Sequence, residues 1–114
     1  MALRVERVGE VAVLMPQGML KGGKETDEVE NALRKLIYDD QNKILLDLAG
    51  VSHMSSMAIG VLASAHSSAA KRELHFAVCN AEQRIESVLV LVKLANILRM
   101  YETRDAALAA LNAM

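Results

Sequence analysis

From residue 43 onward, short apolar runs alternate with stretches of helical length, and this alternation limits the folds open to the chain more than any other feature. Residues 43–48, Lys-Ile-Leu-Leu-Asp-Leu, read as a central strand that ends at Ala49-Gly50. A helix is expected from Ser56 or Met57 to about Lys71, with Ile59, Leu62, Ala65 and Ala69 toward the core. Residues 73–79, Glu-Leu-His-Phe-Ala-Val-Cys, read as the next strand. A helix over 81–93 should turn Ile85, Val88, Leu89 and Val92 inward. A short strand from Ile97 to Met100 and a helix from Thr103 to Asn112 complete the pattern, with Thr103 and Asp105 suited to cap that helix. Strands that alternate with helices favour a mostly parallel sheet joined by right-handed crossovers.

Before this region lies a different signal. Residues 3–8 alternate apolar and charged, the period of a half-buried strand, whereas residues 11–15, Val-Ala-Val-Leu-Met, are continuously apolar. Gly9-Glu10 between them makes a hairpin turn, and Pro16 and Gly18 end the second strand. Lys21-Gly22-Gly23-Lys24 reads as a loop. Glu25 to Tyr38 reads as an amphipathic helix with Val29, Leu33, Leu36 and Ile37 on one face. The expected order is β-β-α-β-α-β-α-β-α, without repeats or linkers. The fold class is α/β, one domain over residues 1–114, with a mixed sheet of about five strands and helices mainly on one side.

Composition narrows the function. The formal net charge is -1 and Lys and Arg are scattered among Asp and Glu, so no basic stripe points to nucleic acid. The first residues lack the apolar stretch of a signal peptide, and Val88–Val92 is too short to span a bilayer, so a cytoplasmic protein without membrane insertion is expected. The single cysteine, Cys79, follows an apolar run and reads as a buried structural thiol. His53, His66 and His75 are dispersed, and no Cys-x-x-Cys or phosphate-binding glycine loop is present, so neither a metal nor another cofactor is expected. Asp47 ends a strand, as does the phosphoacceptor of a receiver domain. The region after the second strand, Met15-Pro16-Gln17-Gly18, lacks the acidic pair that would hold magnesium. Asp47 is read instead as a carboxylate supporting the next turn. No catalytic constellation is visible, and the chain is expected not to be an enzyme.

The stretch from Asp47 to Gly60 carries the functional signal. A strand ends, a short loop follows, and a helix begins at Ser55-Ser56. A helix N-terminus offers unpaired N–H groups and partial positive charge, which suit a phosphate. On residue types alone the serines read as helix caps, with phosphorylation as the alternative. The run Val51-Ser-His-Met-Ser-Ser-Met-Ala-Ile-Gly-Val-Leu62 resembles the regulatory loop of STAS domains, the fold of bacterial anti-sigma-factor antagonists. The later stretch through Val78-Cys79, Ile85, Leu89, Leu94, Tyr101-Glu102-Thr103 and Ala106-Ala107-Leu108 extends that resemblance over essentially the whole chain. It implies a non-enzymatic protein that binds an anti-sigma factor, itself a serine kinase, and so frees a sigma factor. Phosphorylation of the second hydroxyl residue of a D-S-[ST]-G motif then breaks the complex.

This sequence departs from that pattern at the switch. Ser55 stands where the motif has Asp, Ser56 matches the first Ser, Met57 occupies the phosphoacceptor position and Ala58 replaces Gly. Lys21 falls where the family has an acidic residue in a G-x-L-D pattern. Met57 has no hydroxyl, so Ser56 or Ser55 becomes the candidate phosphorylation site, or the protein binds without a switch. The partner-binding residues implied are Lys21, Met54, Ser55, Ser56 and Met57, the methionines being suited to adaptable contacts or to packing under the loop. Val90 or Leu91 is expected to lie outward, where it either packs under the chain's own C-terminal helix or marks a partner or homodimer surface. The alternative function is a STAS adaptor in a transport complex or signalling scaffold.

Overall fold

Strands β2 (Val11–Pro16), β4 (Lys43–Asp47) and β6 (His75–Cys79) form the interior of the protein. The computed structural model describes residues 3–114. These strands are the middle of a five-stranded sheet in the order β1-β2-β4-β6-β7, where β1 is Leu3–Val8 and β7 is Arg99–Tyr101. Only β1 and β2 are antiparallel, and the other pairs are parallel. Both sheet faces are covered, so the inner strands carry continuous apolar runs, as parallel sheets do. Within each run the residues still divide by face. Leu14, Ile44, Leu46 and Val78 belong to one buried cluster, and Val13, Leu45, Ala77 and Cys79 to the other.

Three helices cover the first face: α1 (Lys24–Tyr38), α2 (Ser56–Lys71) and α3 (Gln83–Leu91). They contribute Val29, Leu33 and Ile37, then Leu62, Ala65 and Ala69, then Ile85 and Leu89. Helix α4 (Arg104–Asn112) covers the other face with Ala107 and Leu111, and its Arg104 pairs with Glu6 of β1. The expected mixed sheet with helices mainly on one side is therefore the observed architecture. Gly9, with φ +62, lets the β1–β2 hairpin close in the register Val8↔Val11.

Several boundaries move, each for a local reason. The strand expected from residue 73 begins at His75, because Glu73 takes a left-handed conformation (φ 58) just past the end of α2. Val88 and Val92, expected inward, are exposed: α3 turns Ile85 and Leu89 to the core, Val88 lies on its flank, and Val92 follows the helix end at Leu91, where Lys93 turns left-handed (φ 65). Val90 and Leu91 both face outward. The strand expected from Ile97 to Met100 runs instead from Arg99 to Tyr101, after a 3-10 turn at Leu94–Asn96, and Leu94 and Leu98 take the buried places while Ile97 is exposed. On α2, Ala58 is buried where Ile59 was expected, and Ile59 is half-buried. Val5 is exposed, since β1 is an edge strand and the helices do not cover that position. Two strands absent from the sequence reading, β3 (Gly18–Leu20) and β5 (Val51–Met54), form a separate parallel pair.

Candidate functional site

The β3–β5 pair builds the site. Its register sets Met19 against His53 and Leu20 against Met54, and the Ser55 N–H donates to the Leu20 carbonyl at 2.8 Å. Lys21 and Ser55, far apart in sequence, thus leave the two strands side by side. Leu20 and Met54 point down into the core cluster beneath α1 and α2. Met54 is 9% exposed, so it packs under the loop, whereas Met57 is 65% exposed and faces solvent. Of the five residues singled out in the sequence, Lys21, Ser55, Ser56 and Met57 lie at this end of the fold with polar or apolar surface to offer, Ser55 being half-buried.

Ser55 is the N-cap of α2. Its extended backbone (φ -74, ψ 171) lets Oγ accept from the Ala58 N–H at 3.3 Å. Ser56 opens the helix and its side chain is exposed. The first turn of α2 carries no acidic residue. The exposed Lys21 adds a positive charge near the partial positive charge of this helix end. Replacing Ser55 with Ala should cost about 1 kcal/mol through loss of the cap, seen as a lower midpoint in urea unfolding with unchanged slope.

The loop before α1 forms the floor under Met57. Gly22 adopts φ +95 and its N–H donates to the buried Thr26 Oγ1 at 2.8 Å. A Cβ on Gly22 would sit 3.0 Å from Met57 Sδ. The loop expected at Lys21-Gly22-Gly23-Lys24 is a pinned one. Thr26, four residues after Gly22, is the sign of this in the sequence, because a hydroxyl in the first turn of a helix can hold the preceding N–H. Beside the serines, Ser52, His53, Met54, Ile59, Arg84, Ile85 and Val88 line a shallow groove between β5, α2 and α3.

At the other side of the strand ends, Asp47 supports the turn as expected. Its Oδ1 accepts from the Ala49 N–H and from Asn80 Nδ2, both at 3.0 Å. Cys79 lies beside it, fully buried. Burial, reinforced by the Asp47 charge, pushes its thiol from 9.0 up to about 12. The unfolded chain releases this proton first, so the contribution to stability falls as pH rises from 9.0 toward about 12. In the native protein at pH 8, Cys79 should resist a thiol reagent such as dithionitrobenzoate, and it should react fully once urea unfolds the chain. Among the described residues no group of three or more His, Cys, Asp or Glu is placed to hold a metal ion. His53 is exposed, and His66 and His75 are half-buried. Among the same residues no helix is long and apolar enough to cross a membrane.

The sequence model of the STAS domain matches residues 2–107. The chain belongs to the STAS domain family. It thereby joins a family of non-enzymatic binding domains. A STAS relative from Thermotoga neapolitana, bearing the name of an anti-sigma factor antagonist homolog, is 32% identical over 108 residues, 89% of each chain. The corresponding Thermotoga maritima protein is 30% identical over the same share of each. Among solved STAS structures, an anti-sigma factor antagonist from Thermotoga maritima superimposes with a TM-score of 0.88 at 24% identity, covering 96% of this chain and 94% of the other. One from Mycobacterium paratuberculosis gives 0.85 at 23% identity, covering 96% and 92%.

Proposed function

We propose that this STAS domain acts in the cytoplasm as an anti-sigma-factor antagonist, docking an anti-sigma factor with serine-kinase activity on the surface formed by Lys21, Ser55, Ser56 and Met57. The observation that carries this reading is the strand pair β3–β5, which holds Lys21 beside the start of α2 and leaves Met57 outward. Names of the relatives at 32% and 30% identity point the same way. Met54 supports the loop from below.

Ser56 is the preferred acceptor if the kinase modifies this domain. Its side chain is exposed, whereas the Ser55 hydroxyl is engaged as the cap. Phosphate at the first residue of α2 would add about -2 charge at pH 7, and the helix end would stabilise it. Met57, at the family's usual acceptor position, contributes an apolar contact instead.

The experiment is a pull-down with the tagged protein from its own host, with and without ATP, followed by mass spectrometry. Recovery of an ATP-dependent anti-sigma kinase supports the reading, and phosphate on Ser56 places the switch one residue early. Recovery of transporter or scaffold subunits without such a kinase overturns it in favour of an adaptor. With the kinase in hand, the double substitution Lys21→Asp, Ser55→Asp restores the family's acids while keeping a capping side chain. It should change the association rate by about tenfold and alter its ionic-strength dependence. An unchanged rate across salt would remove Lys21 from the interface.

A further inference from the structure

We propose that two copies of this chain pair through the outer edge of β1, antiparallel about a two-fold axis at Val5, and so join their sheets into one. The pairing uses none of the residues of the proposed docking surface and stands apart from it. β1 ends the sheet, and among the described residues no strand pairs with its outer edge. The hairpin fixes which backbone groups that edge presents. The tight turn at Gly9-Glu10 is closed by the pair Val8↔Val11, whose N–H and C=O groups bond to each other. In an antiparallel ladder, bonded pairs alternate with unbonded ones. Val8, Glu6 and Arg4 therefore bond to β2, and the N–H and C=O groups of Arg7, Val5 and Leu3 point outward.

These outward groups match their own image. With Val5 opposite Val5 of the second copy, each Val5 N–H donates to the other Val5 carbonyl, and Leu3 pairs with Arg7 in the same way on either side. Arg4 and Glu6 then face Glu6 and Arg4 of the second copy at the unbonded positions, where side chains come closest. Both are exposed, and among the described residues Arg4 makes no ion pair within its own chain. Other registers fail. Centring on Arg4, Glu6 or Arg7 sets each against its like, and centring between Val5 and Glu6 sets Arg4 against Arg7 and puts outward groups opposite inward ones. An edge of one charge sign would forbid pairing, whereas this one alternates in sign about Val5. Val5 supports the same centre. It shares the face of its β2 partner Leu14, which belongs to the cluster under the helices, yet it is 56% exposed. In the dimer it packs on its image, which covers an apolar side chain that the single chain leaves in water.

The interface is one strand edge, so the dimer should be weak, with its population rising between about 10 μM and about 1 mM. Sedimentation equilibrium on the intact protein over that range should show monomer passing to dimer, and monomer throughout overturns the proposal. Val5→Pro removes an outward N–H and none that bonds to β2, and proline is tolerated on edge strands. This variant should remain monomeric. Arg4→Glu alters only an exposed, unpaired side chain, so it keeps the fold. It should weaken the dimer at least about tenfold, since both Arg4–Glu6 contacts become repulsive. In the wild-type protein the Val5 and Arg7 amides should exchange about twofold or more slowly at the upper concentration than at the lower, and equal exchange overturns the edge pairing. Leu91→Glu, at the exposed end of α3, should leave the dimer intact. A dimer that survives both Val5→Pro and Arg4→Glu, or that Leu91→Glu abolishes, lies on another surface and overturns the proposal.

Discussion

Replacing Leu46 with Ala should destabilise the protein by about 2–5 kcal/mol. Leu46 lies on β4, the strand at the centre of the sheet, and is wholly buried against the layer of α1, α2 and α3. Its removal opens a cavity between a sheet residue and three helices that are held by the sheet itself, so the walls have little freedom to collapse. A domain of this size is stable by only about 5–15 kcal/mol, so the loss is a large share of the total. Thermal unfolding should shift down by at least about 8 °C. Leu91, 80% exposed at the end of α3, is the matched comparison: Leu91→Ala should change stability by less than about 0.5 kcal/mol. Similar midpoints for the two variants would mean that the sheet's central layer is not packed as described.

Met57→Glu should separate binding from stability in opposite directions. The substitution adds a carboxylate to the first turn of α2, where no acidic residue stands now. A negative charge at a helix N-terminus is favourable by about 0.3–1 kcal/mol, and the side chain is exposed, so the folded protein should be as stable as the wild type or slightly more. At the proposed docking surface the same change would remove an apolar contact and desolvate a charge. Affinity for the anti-sigma kinase should fall by at least about a hundredfold. Calorimetric unfolding and titration binding on the same preparation read both effects. A stable variant that still binds with wild-type affinity would move the docking surface elsewhere on the domain.

Much of this architecture is written in local patterns. The inner strands are buried on both faces, so they appear as apolar runs at 11–15, 44–46 and 76–79 that a half-exposed strand would not carry. Helices α1, α2 and α4 bury one stripe each, and that stripe recurs at the helical period. Thr103 and Ser55 cap as their residue types suggest, because capping is settled within four residues of chain. The residues of the candidate switch could be named for the same reason, since they follow one another in a single loop.

Tertiary structure decided the rest. Strands of three and four residues are too short to show a period, and the β3–β5 bonds join backbone groups whose side chains leave no common signature. Yet this pairing is what sets Lys21 beside Ser55. Met54 and Met57 are chemically identical and three residues apart. One ends a strand and is drawn inward with Leu20, while the other begins a helix on the side away from the core. Val88 and Val92 likewise had the right spacing to be buried, but α3 turns only Ile85 and Leu89 to the core, and Val92 lies past the end of the helix. Which apolar side chains form the core and which remain for a partner depends on how the elements meet in space, because burial is a property of the neighbours a side chain finds and not of the side chain itself.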